Sequence, residues 1–328
     1  MKKIRIGIVG YGNLGKGVEL AIQQQWDMEL VGIFTRREPK TLVPQYSETP
    51  VYSIFDIEKY QGNIDVLILC GGSAKDLPEQ SPTLARMFNI VDSFDTHKKI
   101  PSHYASVDQA AQQAGTIGII SVGWDPGLFS LMRILGEVII PQGQTYTFWG
   151  KGVSQGHSDA IRKIPGVKDG VQYTIPNEVA MNQIRKGEEP ILSTQEKHRR
   201  VCYVVAEEGA NLEEISKAIT TMPNYFADYD TEVFFISQEE LQKEHKAMPH
   251  GGVVIHSGKT GKDLENHQRI EFSLNLDSNP EFTSSVLVAY ARAAYRLQKE
   301  GYKGAKTVLD IPLRYLSWKS IEDLQNEI

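Results

Sequence analysis

The sequence predicts an α/β protein in which a doubly wound parallel sheet is followed by a second, α+β domain, and three observations carry that prediction. Strand-like and helix-like segments alternate through about the first 120 residues, which is the pattern of a parallel sheet. A glycine-rich turn, Gly10-Tyr11-Gly12-Asn13-Leu14-Gly15, stands between the first strand and the first helix. From about Trp124 the chain changes to amphipathic strands joined by polar loops.

Each element follows from local spacing. Residues 4 to 9, Ile-Arg-Ile-Gly-Ile-Val, form a short β-branched run and so a strand. Val18, Ala21 and Ile22 then recur at helical spacing before Trp26. A second strand is predicted over Glu29 to Phe34 and a third over Val66-Leu67-Ile68-Leu69. Residues 103 to 114 read as a helix and Thr116 to Val122 as a further buried strand. In the second domain, strands are predicted at Gln144 to Trp149, Arg199 to Ala206 and Glu232 to Ile236. Asn279-Pro280 opens a long helix running to about Lys299 and stopped by Gly301. Its apolar face, Val286, Leu287, Tyr290, Ala293, Ala294 and Leu297, suits packing against the first domain. The expected division is therefore 1–123 for the first domain, with 280–328 returning to it, and 124–279 for the second.

Length and charge exclude several classes of function. A chain of 328 residues is long enough for two self-supporting cores without a metal or disulfide staple. With 35 Lys+Arg against 41 Asp+Glu, the net charge is −6 and no long basic run is present, so neither nucleic acid nor an anionic membrane surface is an expected partner. No apolar run approaches the ~20 residues that span a bilayer, and the N-terminus lacks a signal-peptide pattern. Cys70 and Cys202 stand far apart and form no Cys-x-x-Cys pair. A cytoplasmic protein without a metal is expected.

The glycine turn satisfies G-x-G-x-x-G in the context that gives the motif its meaning, after a strand and opening a helix. Gly10 permits the turn, Gly12 lets a pyrophosphate approach the backbone, and Gly15 allows close helix packing, while the helix N-terminus offers free N–H groups to the anion. The first domain is thus expected to be Rossmann-type and to bind a dinucleotide through Gly10, Tyr11, Gly12, Asn13 and Leu14. An NAD-specific site places an acid at the end of the second strand, whereas this chain has Thr35-Arg36-Arg37 there. Two guanidiniums and a hydroxyl suit a 2′-phosphate, so NADP is the expected cofactor. The plainer alternative is a solvated arginine partly neutralised by Glu38.

In open α/β sheets, ligands bind beyond the carboxyl ends of the strands. The strand ends Cys70-Gly71-Gly72-Ser73, Ser93-Phe94 and Val122-Gly123-Trp124, with Pro126, are therefore assigned to the rest of the cofactor. Asp95 and Asp125 lie in the same segments and are the first candidates for substrate chemistry. Each has a plainer reading, because Asp before Pro is common in turns and Asp95 could cap a local helix.

Taken together, the glycine turn with Phe34-Thr35-Arg36-Arg37, Gly123-Trp124-Asp125-Pro126-Gly127, Phe148-Trp149-Gly150, Ser154-Gln155-Gly156-His157-Ser158-Asp159-Ala160, Arg162-Lys163-Ile164-Pro165-Gly166-Val167 and Met248-Pro249-His250-Gly251-Gly252 resemble the meso-diaminopimelate D-dehydrogenase family. The resemblance spans nearly the whole chain. It implies a homodimer that carries out reversible, NADP-dependent oxidative deamination of meso-2,6-diaminopimelate at the D-centre. The products would be L-2-amino-6-oxopimelate and ammonia, in the supply of lysine and peptidoglycan precursors. It places Asp95 and Asp125 near the reacting amine, and Trp149, Gln155, Gly156, Thr174, Arg200, His250 and Asn279 around the substrate in a substrate-binding and dimerisation domain. A zwitterion at both ends needs carboxylates for its ammonium groups and donors for its carboxylates. Arg200 and Thr174 suit the distant carboxylate, and His250 and Asn279 the L-centre. His157 is a further candidate for proton shuttling. Read without the resemblance, Asn279 is a good helix N-cap, Thr174 a strand former, one of Arg199 and Arg200 a solvent-facing charge, and Trp149 a core aromatic.

Three competing readings remain at this point. Gly152-Val153-Ser154-Gln155-Gly156 matches a hydrolase nucleophile elbow, but Gly150-Lys151-Gly152 separates it from the preceding strand. A second is another two-domain NADP oxidoreductase of amino-acid metabolism, like a dihydrodipicolinate reductase or a semialdehyde dehydrogenase; the latter needs a nucleophilic Cys, and neither cysteine looks poised. The third is a non-catalytic NADP-sensing protein.

Overall fold

The structure, a computed structural model, describes residues 2–328. The chain divides into two compact units, Met1–Leu131 with Pro280–Ile328, and Met132–Asn279.

The first unit is built on strands β1 (Ile4–Val9), β2 (Met28–Thr35), β3 (Val51–Ser53), β4 (Val66–Leu69), β5 (Asn89–Asp92) and β6 (Ile117–Ile119). With a C-terminal strand, Gly304–Lys306, they form a seven-stranded sheet in the order C-terminal strand, β6, β5, β4, β1, β2, β3. Every neighbouring pair runs parallel. This is the doubly wound arrangement the sequence predicts. Alternation along the strands explains why both faces are covered: Ile6, Ile8, Val66 and Ile68 feed one apolar core, and Val9, Leu67 and Leu69 feed another.

The strand predicted over Thr116 to Val122 pairs only at Ile117–Ile119. The reason is local. Ser121 adopts a left-handed φ of 56°, and its N–H leaves the ladder to bond the Asp92 carboxylate at 3.0 Å.

The helix Asn279–Lys299 packs on the same sheet through Val286, Leu287, Tyr290, Ala293, Ala294 and Leu297. Its fit against the helix Asn13–Gln23 depends on Gly17, where a Cβ would stand 2.5 Å from Ser284 Oγ. Arg292, nearly fully buried, adds a two-pronged ion pair to Asp27 at 2.7 and 2.8 Å and donates to the Leu316 carbonyl.

The second unit holds β7 (Gly143–Trp149), β8 (Gly152–Val153), β9 (Val167–Pro176), β10 (His198–Ala206), β11 (Asp230–Phe235), β12 (His250–Thr260) and β13 (Asn266–Leu276). One sheet has the order β11-β10-β9-β8 and the other β13-β12-β7. The long β12–β13 hairpin is not evident in the sequence, because its first strand opens on His250-Gly251-Gly252 and its second carries Asn266, His267, Gln268 and Arg269. Among the described residues no helix is long and apolar enough to cross a membrane.

Candidate active site

In the first unit the strand ends assigned to the cofactor converge. The N–H of Gly10 donates to the Phe34 carbonyl at 2.9 Å, and that of Cys70 to the Val9 carbonyl at 2.8 Å. Gly10 has φ +89°, which favours glycine, and a Cβ there would lie 3.3 Å from the Cys70 carbonyl. Gly15 is demanded by packing, since its Cβ would stand 2.4 Å from the Gly10 oxygen. Gly12 is different. It caps the helix Asn13–Gln23 at an ordinary φ of −94°, and a Cβ there would meet nothing within 4 Å. Its lack of a side chain answers no need of the fold and leaves the helix N-terminus open to a pyrophosphate.

The arginine pair borders the same loop. Arg37 donates to the Tyr11 carbonyl at 2.9 Å, and its own N–H bonds Thr35 Oγ1 at 3.1 Å. Arg36 is largely exposed and pairs at 2.9 Å with Asp76, not with the neighbouring Glu38. Asp76 also accepts from the Gly72 N–H at 2.8 Å, which ties the segment from Cys70 to Ser73 to the arginine loop. Two guanidiniums and Thr35 beside an open glycine turn fit the 2′-phosphate of NADP.

A buried carboxylate missing from the sequence reading fixes this region. Glu19 is fully buried, takes the Tyr11 hydroxyl as donor, and accepts from Thr49 Oγ1 at 2.6 Å and the Gln45 N–H at 2.9 Å. It fastens residues 45 to 49 to the glycine loop, and burial followed by this carboxylate pushes the Tyr11 hydroxyl pKa up. Its only sequence signal is a charge on the apolar stripe of the first helix.

Ser73 Oγ accepts the Asp95 N–H at 2.9 Å, which places Asp95 beside the cofactor strand ends. Asp95 is exposed and Asp125 partly buried. The 3-10 turn His97–Lys99 takes Thr96 as its N-cap residue. Phe94 stacks on His103 at 4.1 Å, Trp124 lies edge-on to Phe129 at 5.2 Å, and Leu14 and Cys70 pack on the core. Ser93 is partly buried, and Val122 and Gly123 are buried beside it in the strand-end loops.

In the second unit the site is made of side chains on adjacent strands. Arg200 of β10 stands in register with Thr174 of β9 and donates to its hydroxyl. The guanidinium is only 6% exposed and lies 4.0 Å over the Tyr229 ring. Among the described residues no carboxylate pairs with it, and its buried Nε lacks a hydrogen-bond acceptor. Arg199, its neighbour, faces outward and pairs with Glu232. His198 is on the Arg200 side of the strand, two residues away, and accepts the Trp149 N–H at 2.8 Å while stacking on the indole at 5.2 Å. Period-two spacing was the signal that could have found it.

Other parts of the chain arrive through short backbone links. Gly150 donates to the Gly251 carbonyl at 2.8 Å, Val153 to that of Pro249 at 2.8 Å, and Asn279 to that of Met248 at 2.9 Å. Gln155 Nε2 reaches Met248 Sδ at 3.0 Å. The structure thus brings Trp149, Gln155, Thr174, Arg200, His250 and Asn279 into one neighbourhood. Gly156 shares the property of Gly12, for a Cβ there would meet nothing within 4 Å and its φ is not left-handed.

The electrostatics are one-sided. Burial, then the nearby Arg200, lowers His157 to about 4 and His198 to about 3. Burial likewise lowers His250 and the Arg200 guanidinium itself. His157 is engaged by Ser154, Oγ to Nδ1 2.7 Å, which completes no nucleophile elbow because among the described residues no acid bonds its ring. Burial pushes both thiols up, Cys202 to about 12, so neither is a ready nucleophile. Among the described residues no cluster of His, Cys, Asp or Glu could hold a metal ion.

Comparison with known proteins fits these two halves. Residues 123–278 match the family model for the diaminopimelic acid dehydrogenase C-terminal domain. The meso-diaminopimelate D-dehydrogenase of Ureibacillus thermosphaericus is 64% identical over 328 residues, covering 100% of both chains. The chain belongs to the meso-diaminopimelate D-dehydrogenase family. Among solved structures, the Corynebacterium glutamicum diaminopimelate dehydrogenase in complex with diaminopimelate superposes with a TM-score of 0.92 at 45% identity, covering 99% of each chain. An engineered D-amino acid dehydrogenase bound to NADP+ gives 0.87 at 44% identity, again covering 99% of each. Fold class and membership therefore stand as the sequence motifs implied.

Proposed function

We propose that the chain catalyses the reversible oxidative deamination of meso-2,6-diaminopimelate at its D-centre, using NADP+ and releasing L-2-amino-6-oxopimelate and ammonia. The observation that carries the reading is Arg200, a buried cation with an unused Nε and, among the described residues, no carboxylate counterion. Such a group costs stability unless a ligand supplies the missing acceptor, and the carboxylate of the non-reacting end does so. Gly10 to Leu14, Thr35, Arg36, Arg37 and the strand ends from Cys70, Ser93 and Val122 would hold NADP, which when bound accepts the hydride.

Asp95 and Asp125 act on the amine. A carbon bearing an ammonium releases hydride poorly, so a carboxylate first takes a proton from nitrogen. As the C–H bond breaks, the nitrogen lone pair forms C=N, and the acids stabilise the cation produced. Water then adds to that carbon, a proton moves to nitrogen, and the C–N bond breaks to leave the carbonyl and ammonia. Thr174 joins Arg200 at the distant carboxylate, His250 and Asn279 complete the recognition of the L-centre, Trp149 covers the methylenes, and Gln155 and Gly156 complete the pocket.

The enzyme is read as a cytoplasmic homodimer. Support for self-association is the helix Leu128–Ile139, which exposes Ile134, Leu135, Val138 and Ile139 along one side. The test is nicotinamide absorbance with NADP+ or NAD+ and the meso, LL and DD isomers offered separately. Activity with NADP+ and the meso isomer, and none with LL, is expected. Turnover of LL, or none of the meso isomer, would refute the reading.

A further inference from the structure

The loops that carry Asp95 and Asp125 leave the sheet from neighbouring strands, and both begin at one fully buried carboxylate. Asp92, the last residue of β5, is 0% exposed. Its Oδ1 accepts the N–H of Phe94 at 3.1 Å and of Ser121 at 3.0 Å. Its Oδ2 accepts from Ser81 Oγ at 2.6 Å and faces His103 Nε2 at 2.8 Å. Its own carbonyl takes the Val122 N–H at 2.9 Å.

This knot holds strained backbone. Ser121 sits at φ 56°, a conformation costly to a residue with a Cβ, and its buried hydroxyl has no hydrogen-bond partner that would compensate. What fixes it is the Asp92 Oδ1 contact. The same oxygen sets the turn at Phe94, whose ring is clamped on His103 at 4.1 Å. Residues one and four positions further along are Asp95 and Asp125.

We propose that Asp92, braced by Ser81 and His103, is the positioning residue that sets both catalytic aspartates relative to each other by anchoring their loops at a single carboxylate. The inference rests on the reading that Asp95 and Asp125 act on the amine. Asp92 is sealed from substrate, so it works through geometry, and small displacements of reacting groups are costly to rate.

The experiment compares kcat at saturating NADP+ and meso-diaminopimelate, with its pH profile, in Asp92→Ala, Asp92→Asn, Ser81→Ala and His103→Gln. Asp95→Asn and Asp125→Asn serve as controls. Asp92→Ala is expected to lower kcat about tenfold or more and shift the limbs of the profile, because the pair of acids is displaced. Asp92→Asn keeps an acceptor for both N–H groups and should recover much of the loss, which a merely stabilising role would not require. A folded Asp92→Ala enzyme with unchanged kcat and profile overturns the inference while inactive controls leave the reading intact. Fully active Asp95→Asn and Asp125→Asn enzymes overturn the reading and the inference with it. If Asp92→Ala does not fold, unchanged kcat and profile in both Ser81→Ala and His103→Gln are the overturning result, and a shared fall in kcat with shifted limbs is the supporting one.

Discussion

The cofactor-facing strand ends of the first unit and the arginine pocket of the second are built on opposite principles. The former is mostly backbone: a glycine turn, a helix N-terminus without a side-chain cap and exposed arginines such as Arg36. The latter is mostly buried side chain, with Arg200, Thr174, His198 and His250 each under 10% exposed. A site made of backbone recognises phosphate, which many residues can meet. A site made of buried cationic and neutral groups suits one carboxylate in one place, and it keeps imidazoles uncharged and a guanidinium short of acceptors. The first should tolerate substitution at its periphery, and the second should not.

The largest expected effect tests the chemistry between those two tasks. Asp125→Asn removes a proposed base while keeping the shape, so kcat should fall about 10²-fold or more. NADPH affinity, measured by fluorescence titration, should change little, because the residues proposed to meet the phosphates, Gly10 to Leu14 with Thr35, Arg36 and Arg37, do not include Asp125. Wild-type turnover in this variant would remove Asp125 from the mechanism.

Arg200→Met probes the buried half. Losing one partner of a buried, charge-assisted contact is worth about 2 kcal/mol or more, roughly 30-fold in kcat/KM for meso-diaminopimelate. The same variant should lose less with monocarboxylic D-amino acids, which have no distant carboxylate to place. Equal losses for both substrate types would show that Arg200 does not select the second carboxylate.

Acidification should separate the two units. Burial, with Arg200 nearby, lowers His157 to about 4 and His198 to about 3, against about 6.5 when unfolded. Between those values the unfolded chain binds more protons than the folded one, so stability is full above about pH 6.5 and drains as pH falls toward 4. In the first unit burial alone would raise Asp27 and Asp65, but Arg292 and Arg5 outweigh it and hold both carboxyls below their ordinary range. That contribution is lost only below about pH 4. Hydrogen exchange at pH 7 and pH 5 should therefore show weakened protection in β10 before β1 or β2. Simultaneous loss in both would mean the histidines do not set the acid response.

The same contrast explains what the sequence made legible. G-x-G-x-x-G and Thr35-Arg36-Arg37 are local patterns whose chemistry depends on a few consecutive residues, so their placement could be derived. Arg200 in register with Thr174, 26 residues away, follows only from strand pairing, and there the motif resemblance did what periodicity could not. Tyr229 under the guanidinium and Glu19 beneath the glycine loop gave no usable pattern, because a buried polar residue looks like a surface one until its partners are known. The domain edge was blurred for a related reason: residues 124 to 131 follow the change in strand pattern but cluster with the first unit.

Gly12 and Gly156 provide the finest comparison, one in each region. Neither occupies left-handed backbone, and at neither would a Cβ meet protein within 4 Å. Replacing such a glycine with alanine reduces the freedom of the unfolded chain and strains nothing in the folded one, so each variant should be as stable as the parent or more so, by up to about 1 kcal/mol. If a ligand's close approach is what keeps these positions bare, the added methyl must instead appear in binding. Gly12→Ala should weaken NADPH with KM for meso-diaminopimelate unchanged, and Gly156→Ala should do the reverse. A stabilised Gly156→Ala enzyme with unaltered KM would place substrate away from the start of the helix Gln155–Ile161, and the pocket would then be confined to the strands around Arg200.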